Sequence, residues 1–186
     1  INMRPLARLA SHYYKKDIYE KFYPKQINKD LDEKEKKIIS QMQKAIAVIQ
    51  FKLEGNLIKE TSQFEMNEVL YLDKIDYEKG TITIEGKEYE LTDTHFPTID
   101  PNNPYKLNKQ EEEVIEQLSH SFKNNDKLQN DIRFLFNNGS MYLRYNDNLL
   151  FHGCVPLDKN GEFSSWEIDG IEYKGKELLD FFDDII

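Results

Sequence analysis

The stretch GSMYLRYNDNLLFHGCVPLDKNGEF (139–163) alternates, turns and returns. Met141, Leu143 and Tyr145 occupy every second position, Asn146-Asp147 supplies a two-residue turn, and NLLFHG runs back. A period of two around such a turn predicts an antiparallel hairpin. His152 falls at the end of the returning strand, followed by Gly153 and Cys154. A histidine there has two readings. It is a strand-end side chain satisfied by a backbone carbonyl, or an imidazole that a rigid strand carries to a metal site. A glycine after it lets backbone pass close to a ligand.

Working outward, FSSWEIDGIEYKG (163–175) predicts another hairpin, turning at Asp169-Gly170, and KGKELLDFFDDII (174–186) a helix with Leu178, Leu179, Phe182 and Ile185 as its stripe. Upstream, DKLQNDIRFLFNNG (126–139) predicts a helix capped by Asp126 and closed by Gly139. NKQEEEVIEQLSHSFKNN (108–125) predicts another, with Asn108 as N-cap and Val114, Ile115, Leu118 and Phe122 on its apolar face. DTHFPTIDPNNPY (93–105) reads as an extended connection, and TITIEGKEYEL (81–91) as a hairpin about Glu85-Gly86. The helical period is clearest in LDEKEKKIISQMQKAIAVIQFKLEG (31–55), where Ile38, Met42, Ala45, Ile46, Ile49 and Leu53 share a face and Gly55 reads as the stop. RPLARLASHYYKKDIYEKFY (4–23) predicts the first helix. The fold class is therefore α+β, a helical bundle-like part combined with antiparallel β-hairpins. Two regions are expected: a mainly helical, insertion-like region over 1–138 containing the hairpin at 81–91, and hairpins with a C-terminal helix over 139–186.

The chain has 186 residues and a net charge of −9, with aromatic residues at 12%. The aromatics supply buriable area, against disorder. The negative charge argues against nucleic acid or an anionic membrane as partner, since both need a positive face. It leaves room for an acidic substrate where a metal ion supplies local positive charge. One cysteine, Cys154, excludes an intrachain disulfide framework and suits a reducing cytoplasm. No run approaches the roughly 20 apolar residues of a membrane span, and no signal peptide is visible. The first residue is Ile, so a piece cut from a longer protein is expected.

Among the chemical candidates, Asp93-Thr94-His95 has the D-x-H spacing of some binuclear metal sites but precedes a proline-rich connection, so a loop with incidental polar residues is the simpler reading. His12 and His120 lie in predicted helices and read as ordinary histidines. Cys154 could be a nucleophile with His152, since on a strand their spacing puts both on one face; a buried structural cysteine is the simpler reading. No phosphate-binding glycine loop, zinc-type cysteine pair or H-E-x-x-H is present. The runs Glu111-Glu112-Glu113 and Asp183-Asp184 read as solvated helix faces. Arg133, Arg144 and Lys159 are basic residues near the hairpin and read as surface.

As a block, 139–163 closely resembles the bacterial class III fructose-1,6-bisphosphatases, the large type associated with Firmicutes. INMRPLARLASHYY (1–14), KAIAVIQFKLEGNLIK (44–59), DKIDYEKGTITIEGKEYELTDTHFPTIDP (73–101) and KGKELLDFF (174–182) are similar to that family in the same order, so the resemblance covers essentially the whole chain. It implies a calcineurin-like metallophosphoesterase in the full-length protein, in which a strand ending in H-G-G gives a histidine to one of two metal ions. LLFHGC matches that place, with Cys154 where the second glycine often lies, so the resemblance makes His152 a metal ligand and Gly153 and Cys154 its backbone neighbours. It assigns no catalytic residue to this chain. The G-D-x-x-D-R-G, G-N-H-[DE] and late histidine motifs of the superfamily do not occur here, and Asp93 and His95 do not stand in the D-x-H place. The implied activity is that of the longer protein: two divalent ions, manganese by family, hold the 1-phosphate of fructose 1,6-bisphosphate, and hydrolysis yields fructose 6-phosphate in gluconeogenesis. The fragment alone is expected to be inactive, with the rest of the phosphoesterase core as its partner and homo-oligomerisation a further expectation. The alternative is a non-catalytic regulatory or oligomerisation module inserted in a larger enzyme.

Overall fold

The computed structural model describes residues 2–15, 19–25, 30–62 and 66–185. It divides into two compact units, Ile1–Lys123 and Asn124–Ile186. The helix of 126–138 groups with the hairpins that follow it. The observed class is α+β with antiparallel hairpins, as expected.

In the first unit, α1 spans Arg4–Tyr13 and α2 spans Glu33–Glu60. The predicted helix over 4–23 is thus shorter, with a separate 3-10 turn at Tyr19–Phe22; its residues 16–18 lie outside those described. α2 begins with a reciprocal cap, in which the Glu35 N–H donates to Asp32 Oδ1 at 2.8 Å and the Asp32 N–H to Glu35 Oε2 at 3.0 Å. After α2 come β1 (Ile75–Asp76), β2 (Thr81–Ile84) and β3 (Lys87–Glu90), an antiparallel sheet in that order. β2 and β3 pair Ile84 with Lys87 around the expected Glu85-Gly86 turn. α3 (Lys109–Lys123) completes the unit. Its core joins Leu6, Leu9, Ala10 and Tyr14 to Ala45 and Ile49 of α2 and Val114 of α3. A smaller cluster forms around Leu70, Leu72 and Tyr105.

Gly55 does not stop α2. The helix continues five residues further, to Glu60, and Gly55 is buried where the Tyr105 ring lies against it. A Cβ there would sit 2.0 Å from Tyr105 Cε1. The ring cannot simply swing away, because its hydroxyl accepts the Leu72 N–H at 3.1 Å. The position needs the absence of a side chain, and packing overrides the helix cost of glycine.

Two lysines of α2 point inward. Lys52 and Glu111 are fully buried and pair at 2.7 Å, and Lys52 also donates to the Thr98 carbonyl at 2.6 Å. Glu111 accepts the Asn108 N–H at 2.8 Å through the same oxygen, while its own N–H donates to Asn108 Oδ1 at 2.9 Å. The expectation that Glu111 lies on a solvated face is therefore corrected; only Glu112 and Glu113 are exposed. Its carboxylate is buried because it both caps α3 and neutralises Lys52.

The second unit contains α4 (Asp126–Asn138), β4 (Tyr142–Tyr145), β5 (Asn148–Phe151), β6 (Ser165–Ile168), β7 (Ile171–Lys174) and α5 (Lys176–Ile185). The cap of α4 is Asn125, whose side chain accepts the Leu128 N–H at 2.9 Å, and Asp126 is the first helical residue. β4–β5 and β6–β7 are separate two-stranded sheets turning at Asn146-Asp147 and Asp169-Gly170. α5 ties them together: Trp166 packs edge-on to Phe182 at 6.1 Å, Tyr173 lies 4.7 Å from Phe181, and the Tyr142 hydroxyl donates to Asp180 at 2.7 Å.

Two stability outcomes follow. Gly55→Ala should lower the unfolding free energy by roughly 1–3 kcal/mol through displacement of Tyr105, read by urea denaturation. Lys52→Ala leaves Glu111 buried without its countercharge and should cost about 3–5 kcal/mol; a loss below about 1 kcal/mol in the same assay would show that the pair is not what holds α2 to α3.

Candidate functional site

The hairpin that carries His152 forms as the alternation requires. Tyr142 opposes Phe151 and Leu143 opposes Leu150, and the His152 N–H donates to the Met141 carbonyl at 3.2 Å, one step beyond the paired strands. The backbone of His152 is thus held while its side chain is exposed. No hydrogen bond, ion pair or ring contact engages the imidazole among the described residues. The strand-end reading with a satisfied imidazole does not describe it.

Gly153 takes φ = +90°, a conformation that L side chains rarely adopt, and nothing lies within 4 Å of where its Cβ would be. Glycine is therefore required here by backbone geometry, not by crowding. The positive φ also takes the chain out of the extended conformation after His152. The same-face argument for a Cys154–His152 pair fails for that reason, and the expectation of a buried Cys154 fails too, since it is exposed.

His152 lines a hollow of about 260 Å³ with Leu135, Phe136, Met141 and Asp183. Asp183 is exposed on α5, as expected of a solvated helix face, and no local motif links it to His152; only the fold brings the two to one hollow. Its carboxylate is already used. Oδ1 accepts the Met141 N–H at 2.5 Å and Oδ2 lies 3.0 Å from the Ser140 hydroxyl. Among the described residues no three His, Cys, Asp or Glu side chains are grouped so as to hold a metal ion. A neutral imidazole suits a divalent transition metal. The donor type fits, but a catalytic site takes about three protein ligands, and among the described residues lining the hollow His152 is the one His, Cys, Asp or Glu side chain without a hydrogen bond.

The other candidates have structural partners. Asp93 pairs with Lys44 at 2.9 Å and accepts the His95 N–H at 3.0 Å, so it anchors the loop after β3 to α2. The Lys44 ammonium also lies 5.4 Å from the Tyr14 ring centroid and 5.8 Å from that of Phe96. His95 meets Tyr14 edge-on at 6.5 Å. Asp93 and His95 do not converge as ligands. His12 is exposed and stacks edge-on with Tyr13 at 4.8 Å; with Arg4 and Arg8 it lines a cleft of about 410 Å³ facing Gln110, Glu113 and Gln117 of α3. His120 is exposed on α3. Arg133 donates to the Gln129 carbonyl and Asn130, and Arg144 pairs with Asp147 at 3.2 Å, so both act locally. No helix among the described residues is long and apolar enough to cross a membrane.

Burial pushes the Asp93 carboxyl upward, but donation from Lys44 and the His95 N–H outweighs it, and the group titrates below the ordinary value of 3.8. A lowered folded-state pKa means that stability is present above the unfolded value and lost as pH falls through the folded one. Asp93→Asn should therefore destabilise the chain at neutral pH. The deficit should shrink as pH falls below about 4, measured as unfolding free energy across that range; a deficit constant down to acid would exclude the linkage.

The model of the family described as Firmicute fructose-1,6-bisphosphatase matches residues 1–186. A protein named fructose-1,6-bisphosphatase class 3 from Clostridium novyi (strain NT) is 54% identical over 185 residues, covering 100% of this chain and 28% of that protein. Its namesake from Clostridium tetani (strain Massachusetts / E88) is 54% identical over 183 residues, covering 98% of the chain and 28% of that protein. One from Clostridium botulinum (strain Alaska E43 / Type E3) is 52% identical over 186 residues. No solved structure matches the chain. The chain spans 28% of the length of these relatives; its hairpins, its helices and the strand that leads into His152 lie within a family match over all 186 residues, and the chain belongs to the Firmicute fructose-1,6-bisphosphatase family.

Proposed function

We propose that this chain is one part of a metal-dependent phosphatase that hydrolyses the 1-phosphate of D-fructose 1,6-bisphosphate, and that His152 is its contribution to the metal centre. The observation that carries the reading is the placement of His152: an exposed, unengaged imidazole on a backbone fixed by strand pairing, inside a chain that matches the family end to end. Rigid backbone with a free donor is what a ligand needs, because the orientation is set before the ion binds. A divalent ion held there, manganese by the family resemblance, supplies positive charge for the phosphoryl oxygens.

The roles of this chain's own residues are limited and specific. Pairing of His152 with Met141 sets where the imidazole starts. Gly153, at positive φ, turns the chain out of the strand after His152. Asp183 braces the start of β4 through Met141 and Ser140. Among the described residues no three His, Cys, Asp or Glu side chains group around a metal position, which supports the reading that the remaining ligands come from the rest of the phosphatase. The first unit has its own cores and a buried ion pair, which favours an accessory role for that unit.

In the full-length protein, His152→Ala should reduce bound manganese and lower turnover of fructose 1,6-bisphosphate by roughly 100-fold or more, since loss of a ligand removes charge stabilisation of several kcal/mol. Unchanged circular dichroism with lost metal would support the assignment. Full metal content and near-normal turnover would overturn it.

A further inference from the structure

Of the four arginines in the chain, Arg133 and Arg144 use their guanidinium groups locally. Arg4 and Arg8 do not. Neither guanidinium has a hydrogen-bond or ion-pair partner among the described residues, although the chain has 34 acidic residues against 25 basic ones. Both line the cleft of about 410 Å³ between α1 and α3. Four residues apart on one helix, they share a face and stand about 6 Å apart along its axis. Their placement runs against helix stability. α2 and α3 each carry acidic residues in the first turn, as the positive end of a helix dipole favours. α1 has none there and begins with Arg4. A cation at that end is unfavourable until an anion joins it.

The walls of the cleft are fixed before anything enters it. The Asn2 N–H donates to the Ser121 hydroxyl at one end, and the Tyr13 hydroxyl donates to Gln110 at the other, so α1 and α3 are tied on both sides. Leu9 and Val114, both buried, give the lining an apolar part. Glu113 and Gln117 face the arginines from α3. We infer that this cleft binds a small phosphate monoester with a neutral, hydroxylated body. Such a phosphate carries a charge of about −1.5 to −2 near neutral pH and three acceptor oxygens. Two guanidinium forks can share those oxygens, whereas one carboxylate satisfies one fork. The opposite wall selects the body. The Glu113 carboxylate repels a second anionic group but accepts hydroxyl protons, and the Gln117 amide both donates and accepts. The volume lies in the range of small-molecule sites, about 300–1,000 Å³. Nothing in this inference rests on His152 as a metal ligand.

The test treats the full-length protein with phenylglyoxal, which modifies accessible arginines, and quantifies the modified peptides by mass spectrometry. Sorbitol 6-phosphate, inorganic phosphate and succinate serve as probes. Sorbitol 6-phosphate is expected to slow modification of Arg4 and Arg8 at least about 5-fold, at a concentration where inorganic phosphate and succinate slow it less than about 2-fold. Modification of Arg133 and Arg144 should not change. In Arg8→Ala protein, with Arg4 as reporter, the sorbitol 6-phosphate concentration that protects should rise about 10-fold or more, because a charge-assisted pair is lost. Arg8 is exposed, so this substitution leaves the packing of α1 intact. Equal protection by inorganic phosphate would mean an adventitious ion only, and equal protection by succinate a general dianion site; either result overturns the inference. So does slowing at all four arginines alike, or no protection at all. Arg4 and Arg8 that react only after unfolding in urea would show the cleft filled by other parts of the polypeptide, and would overturn it as well. The readout is local to the two arginines and independent of activity.

Discussion

A lysine with no solvent contact, Lys52, organises the first unit. Its ammonium reaches the Thr98 carbonyl and the Glu111 carboxylate, and so connects the middle of α2 with the loop after β3 and the first turn of α3. A charge taken out of water is tolerated only when its countercharge and hydrogen bonds are supplied together. That requirement is met from distant parts of the chain, which leaves these three elements one satisfactory arrangement. Lys44 repeats the device nearer the start of α2, with Asp93 as partner and aromatic rings around it. The apolar cluster of α1, α2 and α3 packs around this frame.

The second unit is built differently. Its largest side chains are not gathered into a closed core: Trp166, Phe163, Leu143, Leu150 and Phe151 are all exposed, and the buried leucines of α5 are few. Local order comes from tight turns, cross-strand pairing and the bonds of Tyr142 and Asp183. A hairpin organised in this way has a defined direction and register before anything covers it. That is what the proposed ligand role of His152 requires, a donor whose backbone position is set before an ion binds. The contrast between a closed unit and an open one matches a chain that spans only 28% of its relatives.

Much was legible in the sequence because it depends on neighbours in the chain. The period-two runs around Asn146-Asp147, Asp169-Gly170 and Glu85-Gly86 formed hairpins, since a two-residue turn and an alternating pattern specify register locally. The helical period of α2 and the Asn108 cap of α3 were legible for the same reason. The resemblance carried by the block around His152 pointed to the family that the whole-chain match then established.

What stayed hidden depends on residues far apart. Gly55 read as a helix stop because composition cannot show that Tyr105 needs its missing side chain. Glu111 read as solvated because three consecutive acidic residues look alike until Lys52 selects one of them. The pairing of Cys154 with His152 was lost to a single positive φ at Gly153. By itself, then, the sequence determined the elements, their turns and the family, all properties of short-range period and pattern. Which glycine packs, which carboxylate is buried and which imidazole stays free were decided only in the tertiary structure, because burial and charge compensation exist only between elements that folding has brought together.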